Sequence, residues 1–218
     1  MPSYTEMLDT AERWRYMPGL EHVADGACLT FDDGPDPDGT PAVLDALEAA
    51  GVRATFFVVG EQLMRHHAIA REALARGHEL GLHGFEHVHH ETFPGRAARD
   101  DVARALGTFE AAVGRRPRFF RPPYGCFSEH SYEACADLGL QPVYWSAWGL
   151  DWEDIAAERI ADLAGRHFRE GTIVLLHDSA RYAPRASAAA TAEAVPLIAA
   201  RAAEAGVRLA PLGELADG

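Results

Sequence analysis

The sequence predicts an α/β protein with a parallel sheet. Short runs rich in β-branched and aromatic residues alternate with longer segments of helical periodicity, which is typical of strands joined by crossover helices. Of the 218 residues, 48% are hydrophobic and 24% are charged, proportions that are ordinary for a globular protein and argue against disorder. No repeat, linker or low-complexity segment interrupts the pattern, so residues 1–218 are predicted to form one domain. The strand–helix units either close into a barrel or form an open doubly wound sheet.

Seven strands are predicted from apolar and β-branched runs. In chain order they are residues 26–31, 54–59, 78–83, 118–121, 142–145, 172–177 and 207–212. The second run is apolar throughout, as expected for a strand that is buried on both faces. The sixth run, TIVLLH, gives the clearest strand signal in the chain.

Helices are predicted between these strands from spacing and end signals. They cover residues 40–50, 61–76, 96–113, 128–138, 154–168 and 188–205. Thr40 is predicted to cap the first helix, with Pro41 at its first helical position. Gly51, Gly77 and Gly114 are expected to end the first three helices.

Composition limits the classes of partner and compartment. The chain carries 33 acidic and 20 basic side chains, a formal net charge of −13, which argues against nonspecific nucleic-acid binding because that requires Lys and Arg to displace counterions. The three cysteines form no CxxC pair and favour a reducing compartment. No signal peptide is visible, and no apolar run approaches the ~20 residues of a membrane span. We therefore expect a cytoplasmic protein without a membrane segment, with an exported protein that has lost its leader as the alternative. The sequence does not indicate the oligomeric state.

Polar side chains with catalytic or ligating chemistry follow the predicted strands at their carboxyl ends. In chain order they are Asp32, Asp33, His83, His87, Arg121, Asp151 and His177. The carboxyl ends of parallel strands lie on one face of an α/β fold, and that face forms the active site. The sequence therefore predicts that these distant residues converge.

A metal site is one interpretation of the histidines in HGFEH. His83 and His87 stand four residues apart, and Asp33 is available as an oxygen ligand. Two imidazoles and one carboxylate leave an open position for water on zinc or a related ion. His89 and His90 are alternative ligands, and a solvated or capping histidine pair is the alternative without a metal.

The adjacent acids Asp32 and Asp33 also have two interpretations. TFDDGPD is compatible with a simple turn, since Asp, Gly and Pro dominate turns. Two neighbouring carboxylates after a buried strand repel each other without a cation, however, which favours one as ligand and one as base. Similarly, Arg121 in RPPYG either belongs to a rigid turn or pairs with a buried acid, and His177 is either catalytic or a core histidine.

Five segments, taken in order, resemble the motifs of the NodB-homology polysaccharide deacetylases, carbohydrate esterase family 4. They are TFDDGPD (30–36), HGFEH (83–87), RPPYG (121–125), DW (151–152) and LLH (175–177). The resemblance implies a distorted (β/α)7 barrel and metal-assisted hydrolysis of an N-acetyl group. Three positions depart from the family pattern: Gly84 replaces the usual Ser or Thr, Val88 the common Pro, and Trp148 the acid of many members. The missing hydroxyl at position 84 leaves the metal loop without its usual brace.

The resemblance also implies a role for each residue of the reaction centre. Asp33, His83 and His87 would bind one divalent cation, with zinc expected and cobalt or nickel as alternatives. Asp32 would be the general base, held in place by Arg121. His177 would be the general acid, oriented by Asp151.

The remaining implied roles concern the substrate. The backbone N–H of Tyr124 would stabilise the oxyanion, while Trp152 and Leu175 would form the pocket for the acetyl methyl group. Trp148 is either core or an aromatic wall that narrows the site. The expected substrate is an N-acetylated amino sugar, a short oligosaccharide or a sugar-bearing metabolite. The alternatives are a metal-independent cyclic amide or imide hydrolase and a noncatalytic carbohydrate-binding protein.

Overall fold

The structure is a computed structural model that describes residues 17–166 and 168–216. Its strands form one seven-stranded sheet in the order β5-β4-β3-β2-β1-β7-β6, and all the pairings are parallel. The strands are β1 (Cys28–Asp32), β2 (Thr55–Val58), β3 (Glu79–Leu82), β4 (Phe119–Phe120), β5 (Gln141–Pro142), β6 (Ala147–Trp148) and β7 (Ile173–His177). The predicted α/β class is confirmed.

The helices between the strands and the helix after β7 lie where the sequence predicts them, whereas the last short helix was not predicted. They are α1 (Thr40–Ala49), α2 (Gly60–Ala75), α3 (Ala97–Val113), α4 (Glu129–Asp137), α5 (Ala157–Gly165) and α6 (Ala189–Glu204), followed by the short α7 (Leu212–Leu215). The cap predicted for α1 is wrong, because Gly39 is the N-cap and Thr40 is already helical. The Thr40 hydroxyl instead donates to Asp178 Oδ2 at 2.6 Å and accepts from the Asp36 N–H at 2.7 Å.

One predicted strand does not belong to the sheet, and a different segment of the chain takes its place. Residues 207–212 do not join the sheet: Leu209 forms a single parallel bridge with Ala27, and the chain then enters α7. The remaining strand is β6, which pairs with β7 and places Trp148 opposite Leu175. A strand of two residues carries too little periodicity for a sequence pattern to detect. The predicted strand over 142–145 is likewise reduced to β5.

The sheet curls into an incomplete barrel. β5 and β6 are its two edges, yet only residues 143–146 separate them along the chain. Five consecutive Cα–Cα steps span at most roughly 18 Å, so the two edges lie near each other. The Val143 N–H donates to Phe120 O at 2.9 Å and the Ser146 N–H donates to Ile173 O at 3.0 Å, which attaches this connection to both sides of the opening. The distorted barrel is thus confirmed, and the open doubly wound alternative is not observed.

Apolar side chains cover both faces of the sheet. Phe56 belongs to a large cluster shared with helix residues such as Leu63 and Ile198, whereas the next residue, Phe57, belongs to a smaller cluster inside the curl. This alternation is expected of parallel strands buried on both faces. The inner cluster contains Trp152 and Leu175, and so places apolar surface next to the carboxyl end of β7. No helix within the described ranges combines the length and apolarity needed to cross a bilayer.

Candidate active site

The carboxyl ends of the central strands bring the polar residues of four motifs together. β1 ends at Asp32, which lies opposite His177 at the end of β7 in the parallel register. His83 directly follows β3, and Arg121 directly follows β4. The strands β4, β3, β2, β1 and β7 are consecutive neighbours in the sheet. The residues at their carboxyl ends therefore lie close together, as the sequence predicts.

Asp33, His83 and His87 form a group that can hold a metal ion. One ligand atom from each lies within 4.8 Å of the others. The Nε2 atom of His87 is 3.0 Å from Asp33 Oδ1, and that of His83 is 3.5 Å from the same oxygen. Asp33 Oδ1 is buried and has no hydrogen-bond partner among the described residues, which is unfavourable unless a cation binds there.

The electrostatics of this group agree with a cation site. Burial alone would raise the pKa of Asp33, but the His87 and His83 imidazoles hold it well below its usual value. His83 Nδ1 lies 2.9 Å from the carbonyl oxygen of Arg121, so Nδ1 carries the proton and Nε2 is free to act as a ligand. The ligand atoms of two imidazoles and one carboxylate therefore lie around one position that a cation could occupy.

The two alternative ligands lie elsewhere. The His89 ring stacks on Tyr124, with the ring centroids 3.8 Å apart. His90 is fully buried, and its Nε2 lies 3.4 Å from Asp101 Oδ2. Neither histidine belongs to the group formed by Asp33, His83 and His87.

A carboxylate from α3 braces the metal loop where the family's hydroxyl is missing. Asp101 Oδ2 accepts the N–H of Phe85 at 2.8 Å, and Oδ1 accepts the N–H of Glu86 at 3.0 Å. Gly84 has φ of +75°, and a Cβ there would lie 3.1 Å from Asp101 Oδ2. The loop is therefore held by a carboxylate in place of the hydroxyl that is usual in the family. Asp101 was missed because an acid in the first half of an ordinary helix gives no sequence signal of burial.

Asp32 is fixed by a buried arginine. Arg121 Nη1 donates to Asp32 Oδ1 at 2.7 Å, and the same nitrogen donates to Thr30 Oγ1 at 2.8 Å. Its Nη2 donates to Tyr144 O at 2.7 Å. Burial lowers the pKa of Arg121 and the neighbouring Asp32 carboxylate counteracts that shift, so the two groups stabilise each other as an ion pair. Asp32 Oδ2 faces the metal group, 3.8 Å from His83 Nε2.

His177 and Asp151 form a second ion pair. His177 Nδ1 donates to Asp151 Oδ1 at 2.9 Å, and the His177 backbone N–H donates to Asp151 Oδ2 at 2.8 Å. Burial alone would lower the pKa of His177, but the Asp151 carboxylate raises it to about 9. Two further residues contact Asp151, namely Thr191 and Arg185, and the sequence patterns singled out neither. The result is an imidazole that is held by one nitrogen and charged at neutral pH.

The predicted substrate residues surround these polar groups. The Trp152 ring meets the His177 ring edge-on, with the centroids 5.5 Å apart, and both Trp152 and Leu175 are buried. Trp148 is half-buried and packs against the inner cluster that contains these two residues. Tyr124 has a left-handed backbone, with φ of 58°, and its ring centroid lies 4.6 Å from that of His87.

Tyr182 is a site residue that sequence reasoning missed. Its ring stacks on His87 at a centroid separation of 4.0 Å and an interplanar angle of 12°. Its hydroxyl accepts a hydrogen bond from Gln62 Nε2 at 3.0 Å. Tyr182 lies in the segment between β7 and α6, so this connection covers one side of the group formed by Asp33, His83 and His87. A single tyrosine in a loop carries no pattern that would have identified it.

Asp178 supports the loop that carries Asp33. Its Oδ1 accepts the N–H of Gly34 at 3.0 Å, while Asp33 adopts a φ of 87° that is uncommon for a residue other than glycine. Burial raises the pKa of Asp178 to about 7. The hydroxyl of Thr40 and the N–H of Gly34 lie at its two oxygens and partly offset that shift.

Comparison with known proteins agrees with these observations. The profile of the family described as polysaccharide deacetylase matches residues 22–143. A peptidoglycan-N-acetylglucosamine deacetylase of Bacillus cereus is 35% identical over 153 residues, covering 69% of this chain and 71% of that protein. A chitooligosaccharide deacetylase of Azorhizobium caulinodans is 36% identical over 151 residues, covering 69% and 72%.

A solved structure of a carbohydrate esterase has a similar fold. The structure of a family 4 carbohydrate esterase from Streptomyces lividans in complex with acetate superposes with a TM-score of 0.74 at 29% identity, covering 87% of this chain and 92% of that one. The family profile covers more than half of the chain, and both relatives are matched over more than two thirds of their length. The chain therefore belongs to the polysaccharide deacetylase family of hydrolases, carbohydrate esterase family 4.

Proposed function

We propose that this protein is a metal-dependent hydrolase that converts an N-acetylated amino sugar to acetate and the free amine. The observation that carries the proposal is the juxtaposition of three groups at one end of the barrel. Asp33, His83 and His87 supply a set of cation ligands. Beside them lie an arginine-bound carboxylate, Asp32, and a charged imidazole, His177, which suit a base and an acid.

The ligand set fits a catalytic divalent ion. Two imidazoles and one carboxylate match the pattern of zinc sites that keep a position open for water, and cobalt or nickel would accept the same donors. The buried, unpartnered Asp33 Oδ1 supports this assignment. When bound, such an ion polarises the acetamide carbonyl and lowers the pKa of a water molecule.

Asp32 acts as the general base. It takes one proton from the attacking water as the water oxygen bonds to the acetyl carbon. The ion pair with Arg121 keeps the carboxylate aimed, because Arg121 occupies Oδ1 and leaves Oδ2 toward the ligand group. The backbone N–H of Tyr124 is assigned to the oxygen that becomes negative in this step.

His177 acts as the general acid. Its Nδ1 is bound to Asp151, so the proton that it transfers is on Nε2. The bond between the acetyl carbon and the nitrogen breaks as Nε2 gives this proton to the departing amine. Asp151 then stabilises the imidazole in the correct tautomer until it is protonated again.

The substrate belongs to the class of N-acetylated amino sugars, and within it we favour a monosaccharide conjugate or a short oligosaccharide. The names of the two relatives, which refer to peptidoglycan N-acetylglucosamine and to chitooligosaccharides, share this acetamido sugar. Tyr182 stands beside the ligand His87, and Trp148 lies beside Trp152 and Leu175. Aromatic walls of this kind favour a small ligand over a wide groove for a polymer.

Acetate release is the direct test. The protein, stripped of metal and reloaded with zinc, is assayed on N-acetylglucosamine, on a glycoside of it and on chitooligosaccharides of increasing length. We expect zinc-dependent acetate release that Asp32→Asn reduces by about 10²–10⁴-fold. A kcat/KM that rises steadily with chain length would contradict the small substrate. Metal-independent opening of a cyclic imide, or sugar binding without acetate release, would instead support one of the two other functions.

A further inference from the structure

Arg185 is a buried cation close to the proposed acid. It lies in the segment between β7 and α6, and only 3% of its side chain is exposed. A guanidinium buried so deeply is unfavourable unless its N–H groups find acceptors. Its hydrogen bonds therefore identify the parts of the chain that it connects.

The guanidinium connects two parts of the chain that carry the acid and its partner. Nη2 donates to the carbonyl oxygens of His177 and Ser179, both at 2.9 Å. Nη1 donates to the carbonyl oxygen of Asp151 and, at 2.5 Å, to Thr191 Oγ1. One side chain thus ties the end of β7 to the connection that follows β6.

The same contacts fix the carboxylate of Asp151. Thr191 Oγ1 donates to Asp151 Oδ2 at 2.7 Å, and Arg185 Nη1 lies 3.4 Å from that oxygen. Oδ1 is left to accept from His177 Nδ1. The charge of Arg185 also favours the ionised form of Asp151, whose pKa burial alone would raise but His177 and Arg185 lower.

We propose that Arg185, acting with Thr191, is a positioning residue for the deacetylation reaction, because it fixes the Asp151 carboxylate against the imidazole of His177. This inference rests on the proposed role of His177 as proton donor. Arg185 binds the backbone and the carboxylate and is assigned no contact with the substrate.

The charged groups around His177 determine its pKa, which is the quantity that the test measures. Asp151 faces it from the connection after β6, Asp32 and Asp33 act on it from the end of β1, and Arg185 binds its carbonyl oxygen. Without Arg185, Thr191 and the His177 N–H still bind Asp151 Oδ2, but Thr191 and the Asp151 carbonyl lose the guanidinium that holds them, so the carboxylate is fixed less firmly against the imidazole. Burial and a less well aligned ion pair with Asp151 then lower the pKa of His177 from about 9.

The experiment compares Arg185→Met, Arg185→Lys and Thr191→Val with the wild type. Arg181→Met is the matched control, because Arg181 lies in the same segment with 40% of its side chain exposed. Zinc content and circular dichroism establish that each variant is folded and loaded. The ¹⁵N chemical shifts of His177 are then titrated in the metal-free protein, and kcat is measured against pH in the loaded enzyme.

We expect Arg185→Met to lower kcat about 10–100-fold, the usual effect of losing an outer partner of a catalytic group, with bound zinc unchanged. The His177 titration and the alkaline limb of kcat should both move to lower pH, with Arg185→Lys and Thr191→Val intermediate. A folded Arg185→Met with an unchanged His177 titration would overturn the proposal, whatever happens to kcat. If Arg185→Met does not fold, an unchanged titration in Thr191→Val and Arg185→Lys would overturn it.

The titration also separates this inference from the proposed function. If the wild type releases no acetate from any acetylated sugar, the function fails. A titration of His177 that still shifts in Arg185→Met would show that the positioning holds.

Discussion

Three buried carboxylates in the site differ in the partner that each one faces. Asp33 faces two imidazoles, Asp32 faces the guanidinium of Arg121, and Asp151 faces His177. A carboxylate between two imidazoles suits a cation ligand, whereas one bound by a permanent cation suits a base. Chemically identical residues are thus differentiated by their neighbours, and each can be tested by removing one charge.

At the residue scale, Asp151→Asn should remove the negative charge that faces His177. The amide oxygen of Asn can still accept from Nδ1, but its NH2 group cannot accept from the His177 N–H and Thr191, and the negative charge is gone. The pKa of His177 should therefore fall from about 9 toward 6.5. Activity should decline at neutral pH and its alkaline limb should move to lower pH, with Asp154→Asn, an exposed neighbour, as control.

The same substitution should change stability in a pH-dependent way. Because the folded-state pKa of His177 lies above its unfolded value, the pair stabilises the fold fully below about pH 6.5, and this contribution is lost as the pH rises through about 9. Urea unfolding should show a gap between wild type and Asp151→Asn at pH 6 that narrows by pH 9. A gap that is constant across this range would contradict the assignment of the charge to His177.

At the scale of elements, helices were predictable and short strands were not. α3, which spans Ala97–Val113, has apolar side chains at helical spacing and a glycine directly after it, so its pattern is long and unambiguous. β6 has two residues and no pattern of its own. Residues 207–212 are rich in apolar side chains, and Val207, Ala210 and Leu212 are buried, but burial alone does not create a ladder.

The site residues also fall into two groups. Some stand in recognisable sequence motifs, and the others depend on contacts that form only in the folded structure. Asp33, His83 and His87 stand in segments whose spacing indicates chemistry, so the sequence identifies them. Asp101 and Arg185 act through burial and through hydrogen bonds to distant backbone, and neither property is visible in the sequence around them.

The metal loop provides the prediction at this scale. Asp101→Asn should weaken zinc binding about 10–100-fold, because the amide can accept only one of the two N–H groups that the carboxylate accepts from Phe85 and Glu86. Asp100→Asn, at the exposed preceding position, should leave the affinity unchanged. Competition with a chromogenic chelator measures both.

Gly84→Ser distinguishes this brace from the hydroxyl that is usual in the family. A serine there would need a left-handed backbone, and its Cβ would approach Asp101 Oδ2 to 3.1 Å. The substitution should therefore weaken zinc binding, although it restores the family's usual residue. Tighter binding in Gly84→Ser would show that Asp101 does not brace the loop.

At the scale of the whole molecule, the ligand group connects separate segments of the barrel. Asp33 follows β1, whereas His83 and His87 follow β3, and β2 lies between these strands in the sheet. A cation bound by all three residues therefore links strands that are not neighbours. Since the unfolded chain does not assemble these ligands, binding should stabilise the folded state as a whole.

Thermal unfolding measures this linkage without any assay of activity. With free zinc at about 100 times its Kd, the expected stabilisation is about 2.7 kcal/mol, which corresponds to a rise in Tm of about 5–11 °C for a chain of this size. His83→Ala should abolish the rise, whereas His67→Ala, on the exposed side of α2, should retain it in full. His89→Ala should also retain it, because His89 stacks on Tyr124 outside the ligand group. Loss of the rise in His89→Ala together with its retention in His83→Ala would replace the proposed ligand set.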